Sequence, residues 1–367
     1  MGYGQIKPSG QNGGKKIYYE WMRCIACFLV IFNHLKGYTL FMNSTGIKQV
    51  IYMILSVFTK INVPLFFMVS GALLLERQED FFTVFKKRIS RICLVMLLFE
   101  FGIYVECHLY ALVQGREHEF TLKRFLYGMF SGGLQETGAY WYLYAYLGFL
   151  LLLPMIQKIA RQMSRQDFYT LLVLHFLVCT LLPVCNLLLQ MTGRDEIVLA
   201  GEFSVALATL PAFFYPLEGY YIDHVIDIGS LSKRQWGTFM AVVFAGTALS
   251  CLCSFWDGAE RGSFISLFDY LLAIAAFVVI KYIVVVRYPV LSTGKIAKAV
   301  CFMGSLTFGI YLLDHYFKLV LYQRYETFME RWLPSLFTSF GWCVTSMALG
   351  GFVTYILKKL PLFRELL

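Results

Sequence analysis

Long runs of apolar residues, separated by short polar stretches, dominate this chain of 367 residues. Ten of these runs are close to the roughly 20 residues that an α-helix needs to cross a bilayer. The runs occupy residues 18–41, 50–75, 89–113, 139–160, 168–190, 203–222, 236–256, 264–286, 299–321 and 334–357. The pattern predicts an all-α, polytopic membrane protein with about ten transmembrane helices.

The polar segments predict a simple domain organisation. Residues 1–17 are polar and rich in glycine, which predicts a disordered cytoplasmic arm. This segment lacks the apolar core and cleavage site of a signal peptide, so we expect the first apolar run to be kept as a helix. The connections between runs are short. We therefore expect one transmembrane domain over residues 18–357, followed by a short cytoplasmic tail over residues 358–367.

Composition agrees with a membrane protein. Hydrophobic residues make up 58% of the chain, charged residues only 15%, and the mean hydropathy is +0.63. The ten cysteines are scattered through the apolar runs, and neither the CxxC at 24–27 nor the CxC at 251–253 has the partner ligands of a zinc site. We expect no metal site and assign the cysteines to helix packing.

The distribution of lysine and arginine predicts the orientation. If the N-terminus is inside, twenty cations fall in cytoplasmic segments and only eight in outer loops. Cytoplasmic segments of membrane proteins carry such an excess. We therefore expect a multi-pass protein of a bacterial-type plasma membrane with both termini cytoplasmic. The formal charge of +9 follows from this topology and does not indicate nucleic-acid binding.

An arginine and a histidine, Arg23 and His34, stand inside the first apolar run. Arg23 and His34 are eleven positions apart, which brings them to nearly the same helix face with a rise of roughly 16 Å. Charged groups inside a membrane are costly and usually face a protein or water interior. An imidazole close to mid-depth is suited to act as a general base. The alternative is a snorkelling arginine and a histidine that packs neighbouring helices.

A basic segment, FKKRISR, lies at residues 85–91, at the predicted cytoplasmic entrance of the third helix. Arg88 and Arg91 are three residues apart and share a helix face, so they could bind one anion together. Guanidinium groups bind phosphates bidentately. The alternative is ordinary positive flanking of a membrane helix, which we prefer for Lys86 and Lys87.

Taken together, five ordered motifs resemble those of the acyltransferase-3 family, and the resemblance covers nearly the whole chain. They are Arg23-x10-His34, PLFFMVSGALLL at 64–75, Arg88-x2-Arg91, AYWYLYAYLGFLLLLP at 139–154 and GSLTFGIYLLDHYF at 304–317. The chain looks most like the branch of surface-polysaccharide O-acyltransferases. Some relatives carry a fused extracytoplasmic domain. Here we expect the second half of the transfer to occur in the membrane part or on another protein.

The resemblance implies the reaction and its site. It implies that an acyl group, often acetyl, moves from cytoplasmic acyl-CoA to a hydroxyl of a cell-surface glycan or lipid-linked sugar. It also implies that Arg23, His34, Arg88 and Arg91 are the functional residues. By their chemistry, we expect the three arginines to bind the CoA phosphates and His34 to deprotonate the acceptor. The transfer could be direct or pass through a covalent intermediate.

Other polar and aromatic residues in the runs are further candidates. Glu100 and Glu106 are catalytic candidates, since either could orient or charge-stabilise His34; an outer-rim role is the alternative for Glu106. Tyr311 and His315 share a helix face and could bind the acceptor, with helix packing as the alternative. Trp141 could stack on a sugar, although an interfacial aromatic belt is the default explanation.

Two other classes of function remain open at this stage. Buried charges also mark the substrate paths of transporters, so a flippase for a lipid-linked glycan is the main alternative. The inverted repeats that many transporters have are not visible in the sequence. The third possibility is an inactive membrane subunit that supports a glycan-modifying complex.

Overall fold

All regular elements in the described part of the chain are helices. The computed structural model describes residues 16–35, 44–116, 119–131, 134–201, 210–257 and 266–367. The predicted disordered arm therefore lies outside the described residues, except for its last two. The all-α, polytopic class predicted from the sequence is confirmed.

Twelve helices are used in this description. They are α1 (Ile17–His34), α2 (Gly46–Leu74), α3 (Phe81–Val113), α4 (Leu122–Ser131), α5 (Trp141–Gln162), α6 (Arg165–Met191), α7 (Pro211–His224), α8 (Lys233–Asp257), α9 (Asp269–Arg287), α10 (Gly294–Met329), α11 (Ser335–Leu357) and α12 (Pro361–Leu366). The last of these lies in the predicted tail.

Within the described ranges, eight helices are long and apolar enough to cross a membrane: α2, α3, α5, α6, α8, α9, α10 and α11. The other two predicted spans correspond to α1 and α7. Helix α1 ends at His34, and the rest of its predicted span from residue 36 onward lies outside the described residues. Residues 203–209 of the predicted span at α7 and the first two residues of the predicted span at α9 also lie outside the described residues.

Helix α3 begins earlier than predicted, at Phe81 instead of residue 89. Asp80 caps it: the carboxylate accepts hydrogen bonds from the Thr83 amide at 3.1 Å and from the Thr83 hydroxyl at 2.5 Å. These bonds lower the pKa of Asp80. A π-helical turn follows at Phe85–Ile89. The basic segment 85–91 therefore lies inside the helix, not at its entrance.

The described chain forms two compact units, each assembled from separate segments. Unit 1 contains Met1–Arg23, Pro64–Arg77 and Ile156–Gly304, and unit 2 contains Cys24–Val63, Gln78–Met155 and Ser305–Leu367. Four of the five boundaries fall within helices, namely α1, α2, α5 and α10, and the fifth lies between α2 and α3, so neither unit is a continuous stretch of sequence.

Unit 1 is built around a close crossing of α2 and α7. A Cβ atom added to Gly71 would lie 2.0 Å from the carbonyl oxygen of Pro216, and one added to Gly219 would lie 2.2 Å from that of Met68. Real Cβ atoms do not approach backbone this closely. Small residues allow such close contact between membrane helices, so each helix requires a glycine at this crossing.

The end of α7 holds the start of α1 within the same unit. The carboxylate of Asp223 accepts hydrogen bonds from the hydroxyls of Tyr18 and Tyr19, each at 2.6 Å, and from the Lys16 ammonium at 2.7 Å. Lys281 of α9 forms an ion pair with the same carboxylate at 3.1 Å. A buried charge requires such partners, and here they join three helices.

Candidate active site

His34 of α1 and Asp314 of α10 form the central pair of the candidate site, which lies within unit 2. The Nδ1 atom of His34 is 2.8 Å from Oδ2 of Asp314, whose side chain is only 1% exposed. The hydroxyl of Ser346 on α11 donates to the other oxygen, Oδ1, at 2.7 Å. Both oxygens of the buried carboxylate are thus occupied, which fixes the orientation of the acid and of the imidazole.

The pair forms because α1 and α10 run side by side in the same direction. The Cys27 thiol on α1 donates to the carbonyl of Thr307 on α10. Cys27 is seven residues before His34, and Thr307 is seven residues before Asp314. Seven residues are close to two turns of an α-helix, so equal steps along both helices keep the same faces in contact. The Lys318 ammonium also donates to the backbone carbonyl of His34.

The geometry assigns a chemical role to each nitrogen of His34. An ionised carboxylate only accepts hydrogen bonds, so Nδ1 carries the hydrogen and Nε2 keeps its lone pair. None of the described residues bonds to Nε2, and the His34 side chain is 18% exposed while its partner is buried. A neutral imidazole held in this tautomer by a buried acid can accept a proton at Nε2.

Asp314 occupies the place in which the sequence analysis expected Glu100 or Glu106. Glu100 instead accepts a hydrogen bond from the hydroxyl of Tyr144 at 3.0 Å. Glu106 has a buried Oε2 with no hydrogen-bond partner among the described residues. Asp314 lies in the motif at 304–317, but sequence spacing could not pair it with His34 because 280 residues separate the two.

Of the three candidates for acceptor binding, two lie beside the pair. The ring of Tyr311 is 6.5 Å from that of His34, and its hydroxyl donates to the carbonyl of Ala139 at 2.8 Å. His315 follows Asp314 directly and is partly exposed. Trp141, at the start of α5, is 56% exposed, as an interfacial aromatic residue would be.

The three arginines have different surroundings. Arg88 forms a bidentate pair with Glu79, with Nε–Oε2 and Nη2–Oε1 distances of 2.9 Å. Arg91 donates through Nε to the carbonyl of Leu366 at 3.0 Å. The two guanidinium groups thus contact different partners, and their joint binding of one anion stays a prediction.

Arg23 lies in unit 1 and pairs with Glu20 one turn earlier, at 3.0 Å between Nη1 and Oε1. Glu20 is buried against Gly304, where an added Cβ would lie within 2.1 Å of its Oε2. The glycine that opens the motif at 304–317 thus makes room for the carboxylate that holds Arg23.

Comparison with known proteins places this arrangement in a family. No curated protein and no solved structure matches the chain. The family model described as an acyltransferase domain matches residues 16–357, which is nearly the whole chain. That range includes His34, its partner Asp314 and all three arginines. The chain therefore belongs to the acyltransferase-3 family and is a multi-pass membrane acyltransferase.

Proposed function

We propose that the protein transfers an acyl group, preferably acetyl, from cytoplasmic acyl-CoA to a hydroxyl of a cell-surface or lipid-linked glycan. The observation that carries this proposal is the His34–Asp314 pair, with Nδ1 bound to a buried acid and no described residue on Nε2. A hydroxyl is a weak nucleophile at neutral pH and needs such a base.

In a direct transfer, the acceptor oxygen attacks the thioester carbonyl while its proton passes to Nε2 of His34. The imidazolium that forms is stabilised by the Asp314 carboxylate. The C–S bond then breaks, the CoA thiolate leaves, and it takes up the proton from Nε2. Ester and free CoA thiol form in equal amounts, and His34 returns to its neutral state. A mechanism that passes through a covalent acyl-enzyme intermediate would need the same base in its second step, to deprotonate the acceptor.

Arg88 and Arg91 are proposed to bind the phosphates of the donor. The bidentate pair between Arg88 and Glu79 supports this proposal, because it has this guanidinium bound to a planar, two-oxygen anion. A phosphate group would replace Glu79 with a similar geometry and more charge. Arg91 uses only Nε for Leu366, so its terminal nitrogens remain suited to a second contact. Arg23, paired with Glu20 in unit 1, stays a predicted donor contact.

A turnover experiment separates the proposal from its alternatives. Purified protein in liposomes is incubated with labelled acetyl-CoA and a glycolipid extract, and both free CoA thiol and labelled glycan are measured. The proposal predicts that both increase with time. A flippase would move glycolipid without releasing CoA, and an inactive subunit would do neither.

Replacement of Arg88 by lysine tests the donor site. Arg88→Lys keeps the charge but loses the planar fork, so we expect acetyl-CoA affinity to fall about tenfold, as for the loss of one charged hydrogen bond. Calorimetry or tryptophan quenching would measure it. Lys86→Ala, which removes an exposed cation from the same turn, is the control and should change affinity less than about twofold. If the Arg88→Ala/Arg91→Ala double variant binds acetyl-CoA with unchanged affinity, these residues do not bind the donor and serve only as the positive flank of a membrane helix.

The cation distribution also supports a sided reaction, with the donor inside and the acceptor outside. Vesicles of known protein orientation can hold acetyl-CoA on the side of Arg88 and glycan on the opposite side. We expect transfer in this arrangement and none when acetyl-CoA is present only on the opposite side. Transfer that requires both substrates on the Arg88 side would contradict a transmembrane mechanism.

A further inference from the structure

Glu100 is a fully buried acid in α3 whose hydrogen bonding the described residues leave incomplete. Its exposure is 0%, and its Oε1 atom has no hydrogen-bond partner in the described part of the chain. Burying a polar group without a partner costs several kcal/mol in lipid or protein interiors. An unsatisfied acceptor at this depth is suited to receive a hydrogen bond from a ligand.

The hydrogen bond that Glu100 receives from Tyr144 is shared. The hydroxyl of Tyr144 lies 3.0 Å from Oε2 of Glu100 and 2.9 Å from the carbonyl oxygen of Met129. A tyrosine hydroxyl has a single hydrogen, so the two acceptors compete for it. The hydrogen bond from Tyr144 to Glu100 is therefore weaker than its length of 3.0 Å alone indicates.

Two further tyrosines of unit 2 donate their hydroxyl hydrogens elsewhere. The hydroxyl of Tyr311 donates to the carbonyl of Ala139 at 2.8 Å, and that of Tyr140 donates to the carbonyl of Leu312 at 2.5 Å. Both hydrogens are committed to backbone oxygens of unit 2. Neither tyrosine therefore donates to Oε1 of Glu100, and a hydroxyl of a ligand fits as its donor.

Glu100 is close to the site of the proposed chemistry. The hydroxyl of Tyr316, two residues after Asp314, donates to the carbonyl of Phe99, the residue before Glu100, at 2.5 Å, and the Tyr311 ring is 6.5 Å from the His34 ring. Tyr142 lies edge-on to Tyr311 at 6.0 Å between ring centres. The rings of Tyr311 and Tyr142 therefore lie next to one another on the side of His34, and aromatic rings of this kind pack against the apolar faces of sugar rings.

We propose that Glu100 binds the acceptor by accepting a hydrogen bond from a second hydroxyl, next to the one that His34 deprotonates. The acceptor class that satisfies both groups is a polyol with neighbouring hydroxyls, such as a sugar ring. This inference rests on the proposed function and adds an acceptor-binding residue to the same site. In this role Glu100 contacts substrate and does not orient His34.

The test uses full-length protein in liposomes, labelled acetyl-CoA and a lipid-linked glycan extract titrated over a wide range of concentrations. Glu100→Gln keeps the size of the side chain but removes the charge. We expect the half-saturating acceptor concentration to rise at least tenfold, because hydrogen bonds to charged groups are the stronger ones. The maximal rate should stay within about threefold, and acetyl-CoA affinity should not change.

Glu326→Gln is the matched control. Glu326 also accepts a hydrogen bond from a tyrosine, Tyr322 at 2.8 Å, and belongs to the same unit, but it is not part of the site. Its half-saturating acceptor concentration should equal that of the wild type. Tyr144→Phe should raise the value slightly, since the shared donor is lost while the carboxylate remains.

The outcomes distinguish this inference from the function on which it rests. If the wild-type protein forms no labelled glycan from acetyl-CoA, both the proposed function and this inference are wrong. Wild-type activity with an unchanged acceptor requirement in Glu100→Gln would overturn the inference alone. The inference would also be overturned if Glu100→Gln lowered the maximal rate and left the half-saturating acceptor concentration unchanged, because Glu100 would then act in the chemical step.

Discussion

Replacing His34 with alanine should abolish most transfer, with a fall of about 10²–10⁴-fold in rate, the usual contribution of a general base. Acetyl-CoA affinity and expression should be retained, because the side chain that is lost is partly exposed and its buried partner keeps the hydrogen bond from Ser346. Initial rates of ester formation, normalised to folded protein, measure the effect.

His108→Ala is the control for this prediction. The His108 ring stacks on Phe120 at 4.6 Å in the same unit and has no place in the proposed chemistry. We expect it to change the rate less than about threefold. A His34→Ala protein with near-normal turnover would show that another group deprotonates the acceptor.

Adding a single methyl group at the α2–α7 crossing should strongly destabilise the protein. In Gly71→Ala and Gly219→Ala the new Cβ would lie within 2.0 and 2.2 Å of backbone oxygens on the opposite helix. Backbone cannot move aside as a side chain does, so both helices must shift, and overpacking of this kind costs about 1–3 kcal/mol or more. We expect the melting temperature in detergent to fall by at least about 5 °C in each variant.

Gly148→Ala provides the comparison. It also lies within a membrane helix, but an added Cβ there would meet no atom within 4 Å. Alanine favours the helix over glycine by about 1 kcal/mol, so this variant should melt at or slightly above the wild-type temperature. Wild-type melting of Gly71→Ala would mean that the helices are further apart than described.

The fold was predictable where apolar runs are long and uninterrupted. Helix α11 begins within one residue of its predicted start and ends at the predicted residue. The prediction was wrong at the start of α3, where it followed hydropathy and ignored the polar capping pair Asp80 and Thr83. Local hydrogen bonds determine where a helix begins and ends, and mean hydropathy along the sequence does not detect these bonds.

The site was predictable only in part, for a related reason. His34 was identified because an ionisable group inside an apolar run is conspicuous. Its partner was not, since the sequence offered Glu100 and Glu106 for this role, and only tertiary packing brings Asp314 to His34. The same holds for the arginines. The spacing of Arg88 and Arg91 predicted that they share a helix face, but it could not predict that Arg88 contacts Glu79 and Arg91 contacts Leu366.

The most direct test of the account is a stoichiometry measured on one sample. Purified wild-type protein is given acetyl-CoA labelled in the acetyl group together with the glycolipid extract, and free CoA thiol and base-labile labelled ester are quantified at the same times. The account predicts one ester for each thiol released, with both products lost in His34→Ala. Thiol release without ester, or equal ester formation by His34→Ala, would contradict it.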